Sequence, residues 1–335
     1  MRRLIVLATF AAILAAACGG DGGDALDDTP ASSPQPVGST APDNGYWQPP
    51  PTATPTEFRV AMINLMSPVP VDANNPTAGD TFDARIDILV EELKAFKPDL
   101  VGFNEATWTA AHGAAVDRLA KGLKMEWQYS RSNPWFPGQT KETSDEVAKQ
   151  VGLDEGDCIL SRYPILRAER KALNPRTSET EGRAALHVVI KGPGQMGEVD
   201  VYITHLTGGG ETVRNAQAAD FLGFVKATRG KGPLLAMGDM GEPVGSATYR
   251  LYEEAGLGDL VSPELTTCCR ESVIGQQPKP ATRTDYLLSD NWKPTATGLL
   301  ADSPKKRLDG AWLYASDHNG LTATFSVPPD AISPG

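Results

Sequence analysis

Short apolar segments, each ending in a polar residue that can take part in chemistry, are the feature that most constrains this sequence. Phe58–Leu65 alternates as a strand does, whereas Phe82–Phe96 places apolar residues at helical spacing. This alternation of strand and helix recurs along the chain, and it predicts a layered α/β domain with helices packed on the faces of sheets. Further strands are expected at residues 99–104, 158–161, 184–190, 199–204, 234–237 and 321–327, and further helices at 110–123, 213–228 and 246–255.

Two of the connections have a recognisable pattern. A Gly-Pro-Gly turn at residues 192–194 separates two of the expected strands, so a hairpin is the simplest interpretation. Residues 130–156 are polar and contain prolines, and we expect them to form a long loop.

The N-terminus has the pattern of a signal peptide over residues 1–17. Two arginines precede an apolar run, Leu4–Ala17, that is shorter than the ~20 residues of a membrane-spanning helix. Small residues precede Cys18, and this junction resembles a bacterial lipobox, which implies cleavage after residue 17 and a lipid on the Cys18 sulfur. The alternatives are an ordinary cleavage site with an incidental cysteine, and a retained membrane anchor.

Residues 18–56 have the composition of a tether. They are rich in Gly, Asp, Pro, Ser and Thr, and such a segment cannot bury enough apolar surface to offset the entropy of ordering. Prolines at 49–51 stiffen its end toward an extended form. No repeat or second linker divides the remainder, so residues 57–330 are expected to form one domain.

The charge balance argues against a general affinity for polyanions. The chain holds 42 acidic and 31 basic residues, for a formal net charge of −11. Sequence-independent binding of nucleic acid needs clustered Lys and Arg that displace counterions. The basic clusters are short, as at residues 305–307, so tight binding is not indicated, although nucleic acid stays among the candidate substrates.

The cysteines beyond Cys18 are odd in number, so they cannot all pair within one chain. Cys158 lies in an apolar, strand-like run and is interpreted as an inert core thiol. The adjacent Cys268 and Cys269 could form a vicinal disulfide in an oxidising compartment, or remain thiols. The spacing contains no CxxC zinc pattern.

Polar side chains recur where the expected strands end, which is where α/β folds gather catalytic groups. Taken singly, a strand-end carboxylate is more often a helix cap or a solvated loop residue. The series carries more information than any one of its members. The members are Asn64, Glu105, Asp157, His205, Asp239, Asp285, Asp317 and His318.

The sequence around these residues resembles, in order, the motif series of the endonuclease/exonuclease/phosphatase superfamily. The matching segments are RVAMINL, DLVGFNEAT, GDCILSRYPI, GRAALHVVI, VYITHL, LLAMGDM, TRTDYLL and YASDHNGL. The superfamily includes pancreatic-type deoxyribonucleases, abasic-site endonucleases, neutral sphingomyelinases and inositol-polyphosphate phosphatases, and the resemblance extends over residues 57–328. It implies an α/β four-layer sandwich, two mixed β-sheets flanked by helices, with a metal-dependent site at one end.

Three residues are candidates for holding a metal ion. Glu105 is the first choice, because a hard carboxylate oxygen suits Mg²⁺, with Mn²⁺ or Ca²⁺ as alternatives. Asn64 offers a neutral amide that can help hold the ion or a phosphate oxygen, or it simply satisfies a turn. The resemblance implies that Asp317 contacts the metal or a metal-bound water.

Two of the four histidines match the superfamily motifs. Hydrolysis of a phosphate ester can use one imidazole to activate water and another to protonate the leaving oxygen. The resemblance implies that His318 is the general base, that Asp285 holds its tautomer, and that His205 is the general acid. His112 and His187 are interpreted as structural.

The resemblance also concerns four further positions. Asp157 stands where relatives commonly carry Asn, and it either orients His205 or is solvated. Arg183 resembles a family arginine that binds phosphate through the N–H donors of its planar guanidinium. Asp239 matches the Asp of a family Asp-Phe-Asn motif, which faces the attacking water or the metal. Gly241 replaces the Asn of that motif, whose amide stabilises charge in the transition state.

The predicted function is divalent-metal-dependent hydrolysis of a phosphate ester, most simply a phosphodiester, by in-line attack of water. The expected location is the outer face of the bacterial cell membrane, with the lipid on Cys18 as the membrane contact and no protein partner. Residues 130–156 and 262–282 are the loops expected to select among nucleic acid, lipid and sugar phosphates. The alternative, motivated by Gly241, is a catalytically weakened surface binding protein that retains the fold.

Overall fold

The computed structural model describes residues 56–68, 78–133, 146, 148–150, 152–175, 182–307 and 310–328. The expected signal peptide of residues 1–17, Cys18 and residues 19–55 of the expected tether lie outside this range, so the predictions made for them stay predictions. In the described part of the chain, no helix has the length and apolar character needed to cross a membrane.

Strands and helices alternate along the chain as the sequence pattern predicts. The helices are α1 (Ala78–Phe96), α2 (Ala115–Leu123), α3 (Glu211–Thr228) and α4 (Ala247–Glu254). The strands are β1 (Glu57–Asn64), β2 (Leu100–Thr109), β3 (Gly113–Ala114), β4 (Glu126–Asn133), β5 (Leu153–Ser161), β6 (Ile165–Ala172), β7 (Ala184–Lys191), β8 (Glu198–Thr204), β9 (Leu234–Asp239), β10 (Gly258–Asp259), β11 (Asp285–Ser289), β12 (Ala296–Leu300), β13 (Lys305–Lys306), β14 (Trp312–Leu313) and β15 (Gly320–Ser326).

The strands form two large mixed sheets, apart from β13 and β14, which pair with each other. The first has the order β12-β15-β1-β2-β5-β4, in which β1 and β2 are parallel and the other neighbours are antiparallel. The second has the order β10-β11-β9-β8-β7-β6, in which β8 and β9 are parallel. The predicted hairpin is confirmed, since β7 and β8 pair antiparallel.

The two sheets pack face to face, and each carries helices on its outer face. Buried side chains of both sheets, such as Met62 and Met237, form the core between them. Outside the first sheet, α1 and α2 contribute Leu89 and Leu119 to a second core. Outside the second sheet, α3 contributes Phe221 to a third. Burying an apolar face of every element in this way gives the expected four-layer sandwich.

Close packing of the sheets requires a glycine at one position. A Cβ added to Gly102 of β2 would overlap Met237 Sδ and lie 3.0 Å from Ile203 Cδ1, both in the second sheet. A side chain there would force Met237 and Ile203 to move, and interiors tolerate such overpacking poorly.

The structure differs from the sequence predictions in two regions. The helix expected over 110–123 begins at Ala115, because β3 precedes it and pairs with β2. Within the loop expected over 130–156, β4 extends to Asn133, residues 148–150 are helical, and β5 starts at Leu153. The sequence did not predict β4 and β6 as strands. Each lies at one edge of its sheet, and edge strands carry polar residues that hide the usual strand pattern.

Candidate active site

The predicted site residues meet at one end of the sandwich, where both sheets present strand ends. In the first sheet, Asn64 ends β1 and His318 lies just before β15. In the second sheet, Asp239 ends β9 opposite Asp285, which begins β11, and His205 follows β8. The site therefore bridges the two sheets.

The carboxylate of Asp239 lies at the centre of this group. Its Oδ2 is 3.3 Å from Asn64 Nδ2, 3.7 Å from His205 Nε2 and 3.8 Å from His318 Nε2. Asp239 is only 6% exposed, so these polar groups interact in a medium of lower dielectric than water. Motifs that are far apart in the sequence thus converge on one oxygen atom.

Glu105 lies at a β-bulge. The pairing of β2 with β5 shifts register between Phe103 and Ala106, and Glu105 has φ +52°. A left-handed backbone costs a non-glycine residue ~1–2 kcal/mol, and such outliers cluster at functional sites. At this bulge Oε1 of Glu105 accepts from Asn64 Nδ2 at 2.9 Å, and Oε2 accepts from the Ser67 N–H at 2.6 Å.

The amide of Asn64 has a fixed orientation. Its Oδ1 accepts the backbone N–H of Met66 at 2.9 Å, so its Nδ2 faces the carboxylates of Glu105 and Asp239. In this arrangement Asn64 bridges two anions as a donor, and its oxygen points away from them. Its role as a metal ligand stays a prediction that requires the amide to turn over.

The carboxylates near Glu105 suit a divalent cation. Burial raises the pKa of Asp317 and the charge of Glu105 raises it further, although His318 and Arg85 act in the opposite direction. Glu105 and Asp317 are both partly buried, and two carboxylates that repel each other gain stability from a cation between them. Carboxylate oxygens are also the ligands that Mg²⁺ and Ca²⁺ prefer. Glu105 and Asp317 therefore fit the predicted metal site.

The imidazole of His318 is oriented by a buried carboxylate. Its Nδ1 donates to Asp285 Oδ2 at 2.8 Å, as predicted, and Nε2 therefore faces Asp239. Burial lowers the pKa of His318, but the charges of Asp285, Asp317 and Asp239 outweigh burial and raise this pKa well above its ordinary value. His318 thus holds a proton that must leave before it can act as a base.

His205 has the opposite protonation state. Burial and, next, the positive charge of Arg183 lower the pKa of His205 to about 3. Arg183 Nη1 lies 3.3 Å from His205 Nδ1 and can only donate, so Nδ1 accepts and Nε2 carries the hydrogen. Neutral His205 presents an N–H donor near Asp239. This differs from the predicted role of general acid, which requires a second proton on His205.

Asp157 belongs to a buried network. It is 1% exposed, and its Oδ1 accepts from Asn104 Nδ2 at 2.6 Å. Asn104 Oδ1 in turn accepts the backbone N–H of Asp239 at 2.7 Å. Burial raises the pKa of Asp157 to about 7, although the bond from Asn104 and the charge of Arg183 lower it. The burial of Asp157 excludes the solvated alternative. Through Asn104 the network reaches the backbone N–H of Asp239 and also Thr204 O, the carbonyl just before His205.

Gly241 occupies a closely packed position with a left-handed backbone. Its φ is +67°, and its N–H donates to Asp239 Oδ1 at 2.9 Å. A Cβ here would lie 3.1 Å from Thr207 O and 3.3 Å from Arg214 Cδ. Gly241 therefore supplies a backbone donor to Asp239, while the side-chain amide that relatives carry has no counterpart at this position.

Arg85 of α1 is fully buried, lies outside the family motifs and contacts the backbone next to the site residues. The guanidinium of Arg85 donates to Leu65 O at 2.7 Å, to Met66 O at 2.8 Å and to Ala315 O at 3.1 Å. These carbonyls lie just after β1 and just before His318. Arg85 thus ties the end of β1 to the loop that carries the predicted base.

A second buried arginine holds the same loop from the other side. Arg270 donates its backbone N–H to Asp317 O at 2.9 Å and its Nη1 to Ser316 O at 3.2 Å. Its Nη2 also donates to Asn319 Oδ1, and its guanidinium lies 4.0 Å above the Tyr314 ring. Arg270 was not among the predicted site residues, because its contacts join segments that are distant in sequence.

The cysteines divide into a core thiol and a pair at the site. Cys158 is free and buried, as predicted. Cys268 and Cys269 are joined in a vicinal disulfide, which was one of the two alternatives. Cys269 Sγ lies 3.4 Å from His318 Nε2, so the disulfide borders the predicted catalytic nitrogen.

The two remaining histidines lie in contacts that suit structural roles. His187 is fully buried, stacks on Tyr202 with ring centroids 4.1 Å apart, and places Nε2 2.8 Å from Asp200 Oδ1. His112 Nδ1 lies 3.2 Å from Asp83 Oδ2 near the surface.

Solved structures share this fold. An endonuclease/exonuclease/phosphatase from Beutenbergia cavernae has a TM-score of 0.59 at 20% identity, covering 83% of this chain and 74% of that one. A mannosyl-6-phosphatase from Bacteroides thetaiotaomicron has a TM-score of 0.59 at 18% identity, covering 81% and 100%. The catalytic domain of human nocturnin, solved with a bound sulfate anion, has a TM-score of 0.55 at 18% identity, covering 81% and 93%.

Sequence comparison identifies the family. No curated protein matches the chain. A profile described as the Endonuclease/Exonuclease/phosphatase family matches residues 64–318, a span that begins at the Asn64 motif and ends at His318. This protein belongs to the Endonuclease/Exonuclease/phosphatase family.

Proposed function

We propose that this protein is an exported, lipid-anchored hydrolase of phosphate esters that works with a divalent cation, Mg²⁺ being the first choice and Mn²⁺ or Ca²⁺ the alternatives. The observation that carries the proposal is the convergence of Asn64 and two histidines on one oxygen of Asp239. Family membership and the phosphatase among the structural neighbours support it.

The side chains around Asp239 have tasks that their positions allow. Arg183 can bind a phosphate oxygen through the N–H donors of its guanidinium. Neutral His205 beside it can donate a hydrogen bond from its N–H to a phosphate oxygen or to the leaving oxygen. His318, with Nδ1 held by Asp285, directs Nε2 to where a water would be activated. Asp239 lies between the two imidazoles and can orient that water.

Glu105 and Asp317 are the residues that would hold the cation, with Asn64 beside them. When bound, a divalent ion would neutralise phosphate charge and lower the pKa of the attacking water and of His318. The bulge at Glu105 and its bond from the Ser67 N–H fix the carboxylate in advance, which favours a preorganised site.

The proposed location is the outer face of the bacterial cell membrane. The signal peptide of residues 1–17 would direct export, the lipid on Cys18 would supply the membrane contact, and residues 18–56 would form the tether. The substrate is a phosphate ester outside the cytoplasm. The net charge of −11 favours a small or lipid-linked ester over tight binding of a polyanion.

Hydrolysis of bis-p-nitrophenyl phosphate by the purified protein tests this proposal. We expect release of nitrophenolate with Mg²⁺, loss of the activity with EDTA, and recovery when Mg²⁺ is added back. The same protein, assayed against DNA, RNA, sphingomyelin and phosphoinositides, identifies the substrate class. Hydrolysis that EDTA leaves unchanged would contradict the metal requirement.

A second candidate function is a surface binding protein that retains the fold with weakened catalysis. The observation that favours it is Gly241, which lacks the amide that relatives use to stabilise the transition state. Saturable binding of a phosphate ester without hydrolysis in any of these assays would favour this candidate. Turnover of any of the substrates would exclude it.

A further inference from the structure

The Cys268–Cys269 disulfide lies against the nitrogen that the proposed mechanism uses. Cys269 Sγ is 3.4 Å from His318 Nε2. Cys269 is exposed and Cys268 is partly exposed, so a small reductant in solution can reach the bond. The proposed hydrolysis does not need a sulfur atom at this position.

We propose that reduction of this disulfide opens a binding site for a soft divalent ion such as Zn²⁺, formed by Cys268, Cys269 and His318. The ligand atoms of these three residues lie within 4.8 Å of one another. Thiolate and imidazole are the ligands that select Zn²⁺ over Mg²⁺. The site is therefore distinct in chemistry from the carboxylate site at Glu105.

The separation between Cys269 Sγ and His318 Nε2 suits a tetrahedral zinc ion. With bonds of ~2.3 Å to sulfur and ~2.0 Å to nitrogen, such an ion holds one sulfur and one nitrogen roughly 3.5 Å apart. The observed separation between Cys269 Sγ and His318 Nε2 is 3.4 Å. Asp239 Oδ2, at 3.8 Å from the same nitrogen, lies near enough to supply a fourth ligand.

The imidazole is already arranged as a zinc ligand. Metal-binding histidines usually donate their other ring N–H to a carboxylate, which fixes the tautomer and the ring orientation. His318 donates Nδ1–H to Asp285 Oδ2 at 2.8 Å, so its Nε2 faces the sulfur atoms. Binding of Zn²⁺ would displace the proton from Nε2 and those of the thiols.

The backbone holds the cysteines in place independently of the disulfide. On one side, Cys268 N–H donates to Thr282 O at 2.9 Å. On the other side, Arg270 N–H donates to Asp317 O at 2.9 Å, and Asn319 N–H donates to Thr267 O at 2.8 Å. These bonds survive reduction, so the freed sulfur of Cys269 stays beside His318.

A water-soluble phosphine is the reductant for this step. The phosphine supplies two electrons, the S–S bond breaks, and two protons from water convert the sulfurs to thiols. The phosphine takes the oxygen of that water and becomes its oxide. Zinc then replaces the thiol protons, which return to solvent.

Occupation of this site would remove His318 from the hydrolytic reaction, because the ion takes the Nε2 lone pair. This regulatory consequence rests on the proposed function, whereas the metal site itself does not. Zn²⁺ is therefore expected to inhibit the reduced protein more strongly than the oxidised protein.

The test is a direct metal titration of the full chain, oxidised or phosphine-reduced, without oxygen and after removal of the phosphine. Zn²⁺ is titrated against a chromophoric chelator, and Co²⁺ reports thiolate ligands by its charge-transfer absorption. We expect the reduced protein to bind one Zn²⁺ at least ~100-fold more tightly than the oxidised protein. Cys269→Ser and His318→Gln should lose this gain, and Cys158→Ser, which removes a buried thiol outside the site, should keep it.

Equal zinc affinity in the two redox states would overturn the proposal, and so would a reduced Cys269→Ser protein that binds as tightly as the wild type. Melting curves on the same samples show that each variant is folded. The titration uses no substrate, so a protein without hydrolytic activity would contradict the proposed function while the zinc result still decides this site.

Discussion

At the scale of single residues, burial displaces the pKa values of the site in opposite directions. It raises the pKa of Asp157 to about 7 and lowers that of His205 to about 3, because a buried group favours its neutral form. His318 departs from this rule, since three neighbouring carboxylates stabilise its charged form. The site therefore contains groups with very different proton affinities, as acid and base chemistry near neutral pH requires.

Asp157→Asn is expected to stabilise the protein at pH 8 and to have little effect near pH 4. The pKa of Asp157 is raised by folding, so the native state holds a proton that the unfolded state has lost between about pH 4 and about 7. Wild-type stability therefore falls as pH rises through this window. At ~1.4 kcal/mol per pKa unit, the variant should gain on the order of 4 kcal/mol at most in its free energy of unfolding at pH 8.

The measurement is the free energy of unfolding from urea titration of both proteins at pH 4 and pH 8. Asparagine keeps a side-chain oxygen that can accept the hydrogen bond from Asn104. The change in the stability difference between the two pH values therefore reports the charge of Asp157 alone. A stability difference that is the same at both pH values would show that the Asp157 charge carries no burial cost.

Gly241→Asn is expected to raise the rate of phosphodiester hydrolysis relative to Gly241→Ala. Both variants place a Cβ at φ +67° and 3.1 Å from Thr207 O, so they share the cost in stability, which is ~1 kcal/mol or more. Only the asparagine restores an amide donor, and one such donor contributes ~10²-fold in rate. Turnover and melting temperature are measured on the same samples. Equal turnover of the two folded variants would show that the missing amide does not limit this enzyme.

Site residues that directly follow an apolar segment were predictable from the sequence. Residues that act through buried contacts with distant segments were not. Glu105 and His318 follow this rule, because their motifs are local. Arg85 is missed because its partners lie in two segments that are distant in sequence. Its position three residues after Phe82 and one before Ile86 puts it on the apolar face of α1, and this spacing is the signal that could have found it.

At the scale of elements, the loop that carries His318 depends on Arg85 of α1. Arg85→Met is expected to lower the free energy of unfolding by ~3 kcal/mol or more, because three buried carbonyls lose their donor. It should also weaken Mg²⁺ binding by at least ~10-fold, as the loss of supporting contacts does at metal sites. Both quantities are measurable by urea titration and by the Mg²⁺ dependence of hydrolysis.

Arg170→Met provides the matched control. Arg170 donates to Tyr129 O at 2.7 Å and to Gln128 Oε1 at 2.7 Å, and neither partner belongs to the candidate site. This variant should lose stability while keeping the wild-type Mg²⁺ dependence. If the two variants affected Mg²⁺ dependence equally, Arg85 would have no positioning role.

The strands and helices with a clear apolar period were predicted correctly, and the edge strands were not. β4 reads EWQYSRSN and β6 reads ILRAERKA. Each pairs on one side only within its sheet and carries polar side chains, so neither has the pattern of a half-buried strand. The bulge at Glu105 was also not predictable, because it depends on the pairing of β2 with a distant strand.

At the scale of the whole molecule, the order of apolar segments predicted a layered α/β domain, and the family resemblance implied the two mixed sheets and four layers that the structure shows. The family match spans the same region. The N-terminal predictions rest on sequence alone. They concern where the enzyme works, since a lipid on Cys18 would keep the domain at a membrane surface.

Cys18→Ser is expected to release the protein from the membrane fraction. Cys18 is the predicted lipid attachment point, and a serine cannot carry the thioether-linked lipid. Fractionation of cells that express wild type or variant, followed by immunoblotting, measures the distribution. Retention of the variant in the membrane fraction would mean that the apolar segment at residues 4–17 stays attached.

The most direct test of the central claim is the rate of Mg²⁺-dependent hydrolysis of bis-p-nitrophenyl phosphate by His318→Ala, with His112→Ala as the matched control. If His318 activates the attacking water, its loss should lower turnover by at least ~10²-fold, with a melting temperature that shows a folded protein. His112 lies near the surface beside Asp83, and its variant should keep the wild-type rate. A folded His318→Ala protein that hydrolyses the substrate as fast as wild type would contradict this account.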